Sequence, residues 1–138
     1  MRILGIDPGY HRCGLAVLEC AAAGGAKPDL LGSGTVVTRR GASMAVRLHA
    51  LALDLTRLIG EWQPEVVAVE EVYFAKNVKT AIGVAQARGV VLERSAGAGL
   101  PVAEYTPTMV KSQLTGNGRA DKAQVGYMVN KWFTIDSG

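Results

Sequence analysis

Cysteine is scarce in this 138-residue chain, and its two cysteines, Cys13 and Cys20, have neither the spacing of a zinc site nor that of a disulfide framework. This scarcity favours a reducing, cytoplasmic setting. No apolar run reaches the roughly 18 residues of a membrane-spanning helix, so we expect no membrane partner. The apolar stretch after Arg2 meets Asp7 too soon to be a signal peptide.

Internal repeats, long linkers and low-complexity tracts are also missing. A chain of 138 residues without them predicts one domain, covering residues 1–138. Hydrophobic residues make up 49% of the chain and charged residues 20%, which excludes wholesale disorder.

The net charge of +3 comes entirely from the second half of the chain. Residues 1–70 carry seven basic and seven acidic side chains, whereas residues 71–138 carry eight and five. A basic excess favours a polyanionic partner, because Lys and Arg gain affinity by displacing counterions from phosphates. A merely solvated surface is the alternative that a charge of this size leaves open.

Hydrophobic periodicity predicts three strands, followed by helices that alternate with two further strands. The predicted strands are Arg2–Asp7, Cys13–Glu19, Leu30–Thr38, Val66–Val69 and Pro101–Tyr105. The predicted helices cover Met44–Leu58 and Asn77–Ala96, with one more opening at Thr106 and a last one from about Asp121. This order indicates an α/β fold with a mixed five-stranded sheet and helices on both faces. Gly32 and Gly34 in the third strand indicate a bulge or a close approach.

Two acids, Asp7 and Glu70, end predicted strands at positions that strand packing does not explain. If these strands are parallel neighbours, both carboxylates reach the crevice where open α/β sheets bind ligands. Crowded carboxylates favour a divalent cation, and their oxygens suit Mg²⁺ or Mn²⁺, which can act in pairs on a phosphoryl group. Two solvated strand ends are the alternative. Glu71 adjoins Glu70, and strand alternation lets only one of the two face the crevice unless the strand has already ended. The pattern does not indicate which of them faces inward.

Aromatic and basic side chains suited to nucleic acid follow further along the chain. Tyr73 and Phe74 can stack on unpaired bases, with Lys76 on a phosphate, or they can anchor the loop in the core, which suits Phe74 better. Three more cations lie around a Gly-Asn-Gly loop: Lys111, Arg119 and Lys122. They could flank the acidic crevice, or each could be an ordinary solvated helix residue.

Taken together, these segments resemble the RuvC-type Holliday-junction resolvases, which have a ribonuclease-H-like fold. The resemblance runs almost the full chain. It rests on Leu4–Gly9 with Gly14, Leu31–Gly34 with Thr38, Pro64–Glu65, Ala68–Glu70, Val72–Tyr73, Ala75–Asn77, Gln86–Gly89, Leu100–Val102, Glu104–Tyr105, Pro107, Val110–Lys111, Gly116, Gly118, Ala120, Lys122, Gln124–Val125 and Met128–Val129. The opening motif alone also occurs in actin-like sugar kinases, whereas the combination in this order is specific.

The resemblance implies that Asp7 and Glu70 are catalytic carboxylates that bind metal, and that Glu71 is not a ligand. It also implies contacts between DNA and Tyr73, Lys111 and Lys122. The implied reaction is Mg²⁺-dependent hydrolysis, with Mn²⁺ as a substitute and two ions in the complete site. A homodimer would nick a four-way junction symmetrically in recombination and repair, beside a branch-migration helicase complex of the RuvA–RuvB type.

The chain departs from the family pattern after Asp121. The family carries two further Asp residues in an Asp-x-x-Asp-Ala pattern on a final helix, whereas this chain has only Asp136, to which we assign no role. We therefore expect a nuclease domain that is C-terminally incomplete, by truncation or by nature, with weak or no cleavage. The alternatives are a non-catalytic junction-binding module and an actin-like nucleotide-binding domain, although the second phosphate loop of the latter is missing.

Overall fold

The computed structural model describes residues 1–20, 28–71 and 77–105. Their elements are, in chain order, β1 (Arg2–Asp7), β2 (Arg12–Glu19), β3 (Asp29–Val37), α1 (Met44–Trp62), β4 (Val66–Glu70), α2 (Val78–Gly97) and β5 (Val102–Tyr105). The strands form one sheet in the order β3-β2-β1-β4-β5. Antiparallel pairing joins β1 to β2 and β2 to β3, while parallel pairing joins β1 to β4 and β4 to β5.

The mixed five-stranded sheet that the sequence predicts is thus confirmed. The two described helices also match the predicted ones to within a few residues. The helices predicted from Thr106 and from about Asp121 lie outside the described residues. Neither described helix is long and apolar enough to cross a membrane.

The core lies on one face of the sheet, beneath α1 and α2, which pack against each other. Alternate residues of β1 and β4 point into it, and both helices supply the opposing layer. Its almost fully buried members include Leu4, Ile6, Leu51, Leu55, Val67, Val69, Ala87 and Val91. Burial of each larger aliphatic side chain contributes about 1.5–3 kcal/mol, so this two-layer contact fixes how the central strands lie.

Side chains at the helix starts satisfy backbone groups that a helix leaves unpaired. Ser43 caps α1 by accepting a hydrogen bond from the Val46 N–H at 3.3 Å. Asn77 caps α2 and accepts from the N–H groups of Lys79 and Thr80. Both helices therefore begin at defined points just beyond the strands that precede them.

The edge strand β3 contains the irregularity that Gly32 and Gly34 predict. Val17 pairs with Gly32 and the next residue of β2 pairs with Leu30, so Leu31 is the extra residue of a bulge. A Cβ atom on Gly32 would lie 3.1 Å from the Trp62 ring, whereas one on Gly34 would meet nothing within 4 Å. The prediction is confirmed at Gly32, which adjoins the bulge and lies against the Trp62 ring, whereas Gly34 shows neither feature.

These contacts predict opposite effects of alanine at the two glycines of β3. Gly32→Ala should lower the free energy of unfolding by about 1 kcal/mol, because the added methyl group displaces the Trp62 ring. Gly34→Ala should raise it by about 0.5 kcal/mol, because the residue loses only freedom of the unfolded chain. Urea denaturation of both variants measures the difference, and equal stabilities would contradict the close approach.

Candidate active site

The pairing of β1 with β4 brings Asp7 and Glu70 together. The two strands run parallel, with Ile6 beside Val69, and the final residue of each strand follows directly. Strand alternation places both acids on the face opposite the helices, since Ile6 and Val69 point into the core. Neighbouring strands of a sheet lie about 4.8 Å apart, so the two carboxylates project from adjacent positions at the same edge and on the same face.

The structure also distinguishes Glu70 from Glu71. Val67 and Val69 are buried under the helices, so Glu70 falls on the other face, which is the face of Asp7. Glu71 follows the end of β4, and its backbone N–H donates to the carbonyl of Tyr105 at 2.6 Å. Glu70 is therefore the acid that shares the position of Asp7.

Gly14 and Tyr105 extend the pair of acids to a row of four residues across the sheet, in the order Gly14, Asp7, Glu70 and Tyr105. Gly14 pairs with Asp7, and a Cβ atom there would lie 3.5 Å from the Asp7 Cβ, so glycine leaves the β2 side of the carboxylate open. Tyr105 pairs with Glu70 on the β5 side and is 40% exposed. Neither residue was predicted from the sequence to belong to the site. Tyr105 could have been predicted in the same way as Asp7, because it is a polar residue that ends a parallel strand at the same edge of the sheet.

The donor set fits part of a site for a hard cation. Asp7 is exposed and Glu70 half-buried, and carboxylate oxygens are ligands that Mg²⁺ and Mn²⁺ accept. Within residues 1–20, 28–71 and 77–105, no group of three or more His, Cys, Asp and Glu side chains could hold a metal. The described residues thus supply two carboxylates and no third side-chain ligand.

The turn after Asp7 is held by the end of β3. A Cβ atom on Gly9 would lie 2.0 Å from the carbonyl oxygen of Arg12, so only glycine fits there. Thr38 is 5% exposed, and its hydroxyl donates to the carbonyl of Tyr10 at 2.5 Å. The Thr38 N–H donates to the carbonyl of His11 at 3.0 Å. These bonds leave the backbone beside Asp7 little freedom.

The ring of Tyr10 attaches the same turn to both helices. It lies against Gly83 of α2, where a Cβ atom would stand 2.5 Å from two ring atoms. The guanidinium carbon of Arg47, on α1, lies 5.8 Å from the ring centroid, within the range of a cation–π contact. The turn that follows Asp7 is therefore fixed by β3, α1 and α2 together.

Cys13 lies behind the same turn and is 1% exposed. Burial raises the pKa of its thiol to about 11, and the charge of Asp7 adds to the rise, although a hydrogen bond from the Gly9 backbone opposes it. The thiol is therefore neutral at physiological pH and behaves as a small apolar side chain.

Seven residues singled out in the sequence fall outside the described part of the chain. They are Tyr73, Phe74, Lys76, Lys111, Arg119, Lys122 and Asp136. The DNA contacts assigned among them stay predictions.

The sheet order, with an acid at the end of each central parallel strand, defines the class as ribonuclease-H-like. The family model described as "Crossover junction endodeoxyribonuclease RuvC" matches residues 3–138. The chain belongs to this RuvC family, which sets aside the actin-like alternative.

Curated relatives support this membership. The chain is 44% identical over 137 residues to "Crossover junction endodeoxyribonuclease RuvC" of Streptomyces avermitilis, covering 99% of this chain and 77% of the relative. It is 47% identical over 131 residues to the protein of that name from Frankia alni, covering 95% of this chain and 66% of the relative. The chain thus spans about two thirds to three quarters of these relatives.

Solved structures also support membership of the RuvC family. T. thermophilus RuvC in complex with a Holliday junction substrate has a TM-score of 0.88 and 34% identity, covering 99% of this chain and 82% of that one. The yeast mitochondrial Holliday junction resolvase Ydc2 has a TM-score of 0.65 at 11% identity over 97% of this chain and 66% of that one, a likeness of fold alone.

The contact between Tyr10 and Gly83 predicts a position-specific effect on α2. Gly83→Ala should lower the free energy of unfolding by about 1–3 kcal/mol, because the ring must leave its place. Gly89→Ala is the matched control on the same helix, since a Cβ atom there meets nothing within 4 Å. That control should gain about 0.5–1 kcal/mol from helix propensity. Chemical denaturation measures both, and a stabilised Gly83→Ala variant would rule out the packing described.

The raised pKa of Cys13 predicts unequal reactivity of the two thiols. At pH 8 a soluble disulfide reagent should label Cys20, which is half-buried, much faster than Cys13, which stays protonated and covered. Stability should also fall as pH rises from about 9 to 11, because the unfolded chain then loses a proton that the folded chain retains. A Cys13→Ala variant should lose this pH dependence, and retention of the full effect would assign it elsewhere.

Proposed function

We propose that this chain is a structure-specific endonuclease that resolves four-way DNA junctions by metal-dependent hydrolysis of phosphodiesters, in recombination and repair. The observation that carries the proposal is the pair of carboxylates, Asp7 and Glu70, at the ends of adjacent parallel strands in a member of the RuvC family. The similar protein from T. thermophilus, described with a Holliday junction substrate, supports junction DNA as the substrate.

Asp7 and Glu70 would hold Mg²⁺, with Mn²⁺ as a substitute and two ions in the complete site. A bound cation stabilises charge on the phosphoryl group and lowers the pKa of a bound water. The residues of the chain position this chemistry: the paired strands hold the carboxylates side by side, and Gly14 leaves room for a phosphate beside Asp7. The exposure of Asp7 gives the DNA access to the pair.

Further parts of the proposal come from the sequence. Five residues would contact the DNA: Tyr73, Lys76, Lys111, Arg119 and Lys122. The chain would form one domain over residues 1–138 and act in the cytoplasm as a homodimer, whose two-fold axis matches the pseudo-symmetry of a junction. A branch-migration complex of the RuvA–RuvB type would deliver the junction.

A non-catalytic junction-binding module is the second candidate. The observation in its favour is that the described residues supply two acidic ligands and no third, and two carboxylates bind Mg²⁺ weakly. A gel-shift assay on a synthetic four-way junction and on linear duplex, run beside a nicking assay with Mg²⁺ or Mn²⁺, separates the two. Junction-selective binding without nicking supports the module, and slow symmetric nicking supports the enzyme.

The metal assignment predicts distinct effects at neighbouring acids. Asp7→Asn should weaken Mn²⁺ binding by about tenfold or more and abolish any nicking, because a neutral amide is a poor ligand for a hard cation. Junction affinity without metal should stay unchanged or rise, since a charge that repels phosphate is lost. Electron paramagnetic resonance of free Mn²⁺ measures the binding.

Glu71→Gln is the matched control, because it removes one carboxylate next to Glu70 that lies outside the row. It should leave Mn²⁺ affinity and nicking within about twofold of the unsubstituted chain. If Asp7→Asn behaved like this control, Asp7 would not be a metal ligand.

A further inference from the structure

Charge is distributed unevenly along the strand direction of β1, β2 and β3. The acids Glu19 and Asp29 occupy paired strand positions at the edge of the sheet where β1 begins, and Arg2 forms an ion pair with Glu19 there. At the opposite edge, where β1 ends in Asp7, Arg12 opens β2, and Arg39 follows the end of β3. From Thr38 to Leu53 the chain contains no acidic residue at all. The edge that carries the candidate site is therefore basic on its β3 side.

The three arginines at this edge, Arg12, Arg39 and Arg40, are exposed. Within the described ranges none of them forms an ion pair, and Arg40 makes one side-chain hydrogen bond, from its Nε to His11 Nε2 at 3.4 Å. Arg57 on α1 is different, because it pairs with Asp54 and Glu61. The charge at the basic edge is thus not neutralised by the described residues.

The position of these arginines relative to Asp7 is fixed by pairing. Arg12 lies two residues from Gly14, the partner of Asp7, on the same face of the sheet and about 6.6 Å along the strand. Val37, the partner of Arg12, immediately precedes the buried Thr38, and Arg39 follows. The hydrogen bonds of Thr38 to the turn therefore hold this segment beside the candidate site.

The N-termini of both helices add to the positive electrostatic potential of this edge. α1 begins a few residues after β3 ends, and α2 begins a few residues after β4 ends, which brings both N-termini toward the edge that carries Asp7 and Glu70. Neither helix has an acidic residue in its first turn, so no side chain of that turn compensates the positive end of the helix dipole.

We infer that Arg12, Arg39 and Arg40 form a track that binds the sugar–phosphate backbone of one duplex arm on the β3 side of the candidate site. This inference rests on the proposed function and adds to it the place where an arm lies. Arginines that bind a backbone carry no sequence information, so the track orients an arm and leaves recognition of the branch to other residues.

The test measures the affinity of the full chain for a synthetic four-way junction, and for linear duplex of the same arm sequence, over a range of salt concentrations in metal-free buffer. The variants are Arg12→Gln, Arg39→Gln and the double variant Arg39→Gln/Arg40→Gln. Arg57→Gln is the matched control, because it removes one exposed positive charge on a different surface. Thermal unfolding of each variant shows whether the fold is retained.

Each single track variant should bind both DNA forms about three- to tenfold more weakly and reduce the slope of log affinity against log salt by about 0.9. The double variant should lose about twice that slope, and Arg57→Gln should match the unsubstituted chain. Track variants that bind like Arg57→Gln, while the unsubstituted chain binds junctions, would overturn the track alone. A fall on junctions with none on duplex would also overturn it. An unsubstituted chain that binds no junction would overturn the proposed function, and the track with it.

Discussion

The parallel pairing of β1 with β4 is the constraint on which the candidate site depends. Leu4 and Ile6 face the helices beside Val67 and Val69, and this burial fixes the register. A slip of one residue would turn one carboxylate toward the helix-covered face, since side chains alternate along a strand. The apolar layer thus holds Asp7 and Glu70 side by side although like charges repel. Packing on one face therefore determines the chemistry available on the other.

Much of this arrangement can be predicted from the sequence, because strands, helices and strand ends depend on residues that are close together in the chain. Strand and helix periodicity predicts the described elements to within a few residues, and an acid at a strand end predicts Asp7 and Glu70. The strand pattern alone leaves the choice between Glu70 and Glu71 open, because both acids adjoin the end of one strand. The resemblance implies Glu70, and the burial of Val69 independently places Glu70 on the face of Asp7. The packing of Tyr10 against Gly83 was not predicted, since no pattern within β1–β2 or within α2 indicates which residues of distant elements will touch.

The net charge of the first half of the chain does not reveal how its charges are distributed over the surface. The first 70 residues have equal numbers of basic and acidic side chains, so their sum suggests no partner. The antiparallel pairing of β1, β2 and β3 separates part of that charge in space: Glu19 and Asp29 lie at one edge, where Arg2 pairs with Glu19, and Arg12 lies at the other. Long-range attraction depends on such separation, because nearby opposite charges cancel within a Debye length. A neutral half of a chain can therefore present a basic surface.

The bulge at Leu31 has a consequence for solubility. β3 is an edge strand of nine residues, and a flat edge of that length offers unpaired N–H and C=O groups to any other chain. The extra residue interrupts that row and increases the local twist, and the Trp62 ring lies directly against Gly32 at the same place. The irregular strand is thereby a poor template for a sixth strand, so the feature guards the folded chain against edge-to-edge aggregation.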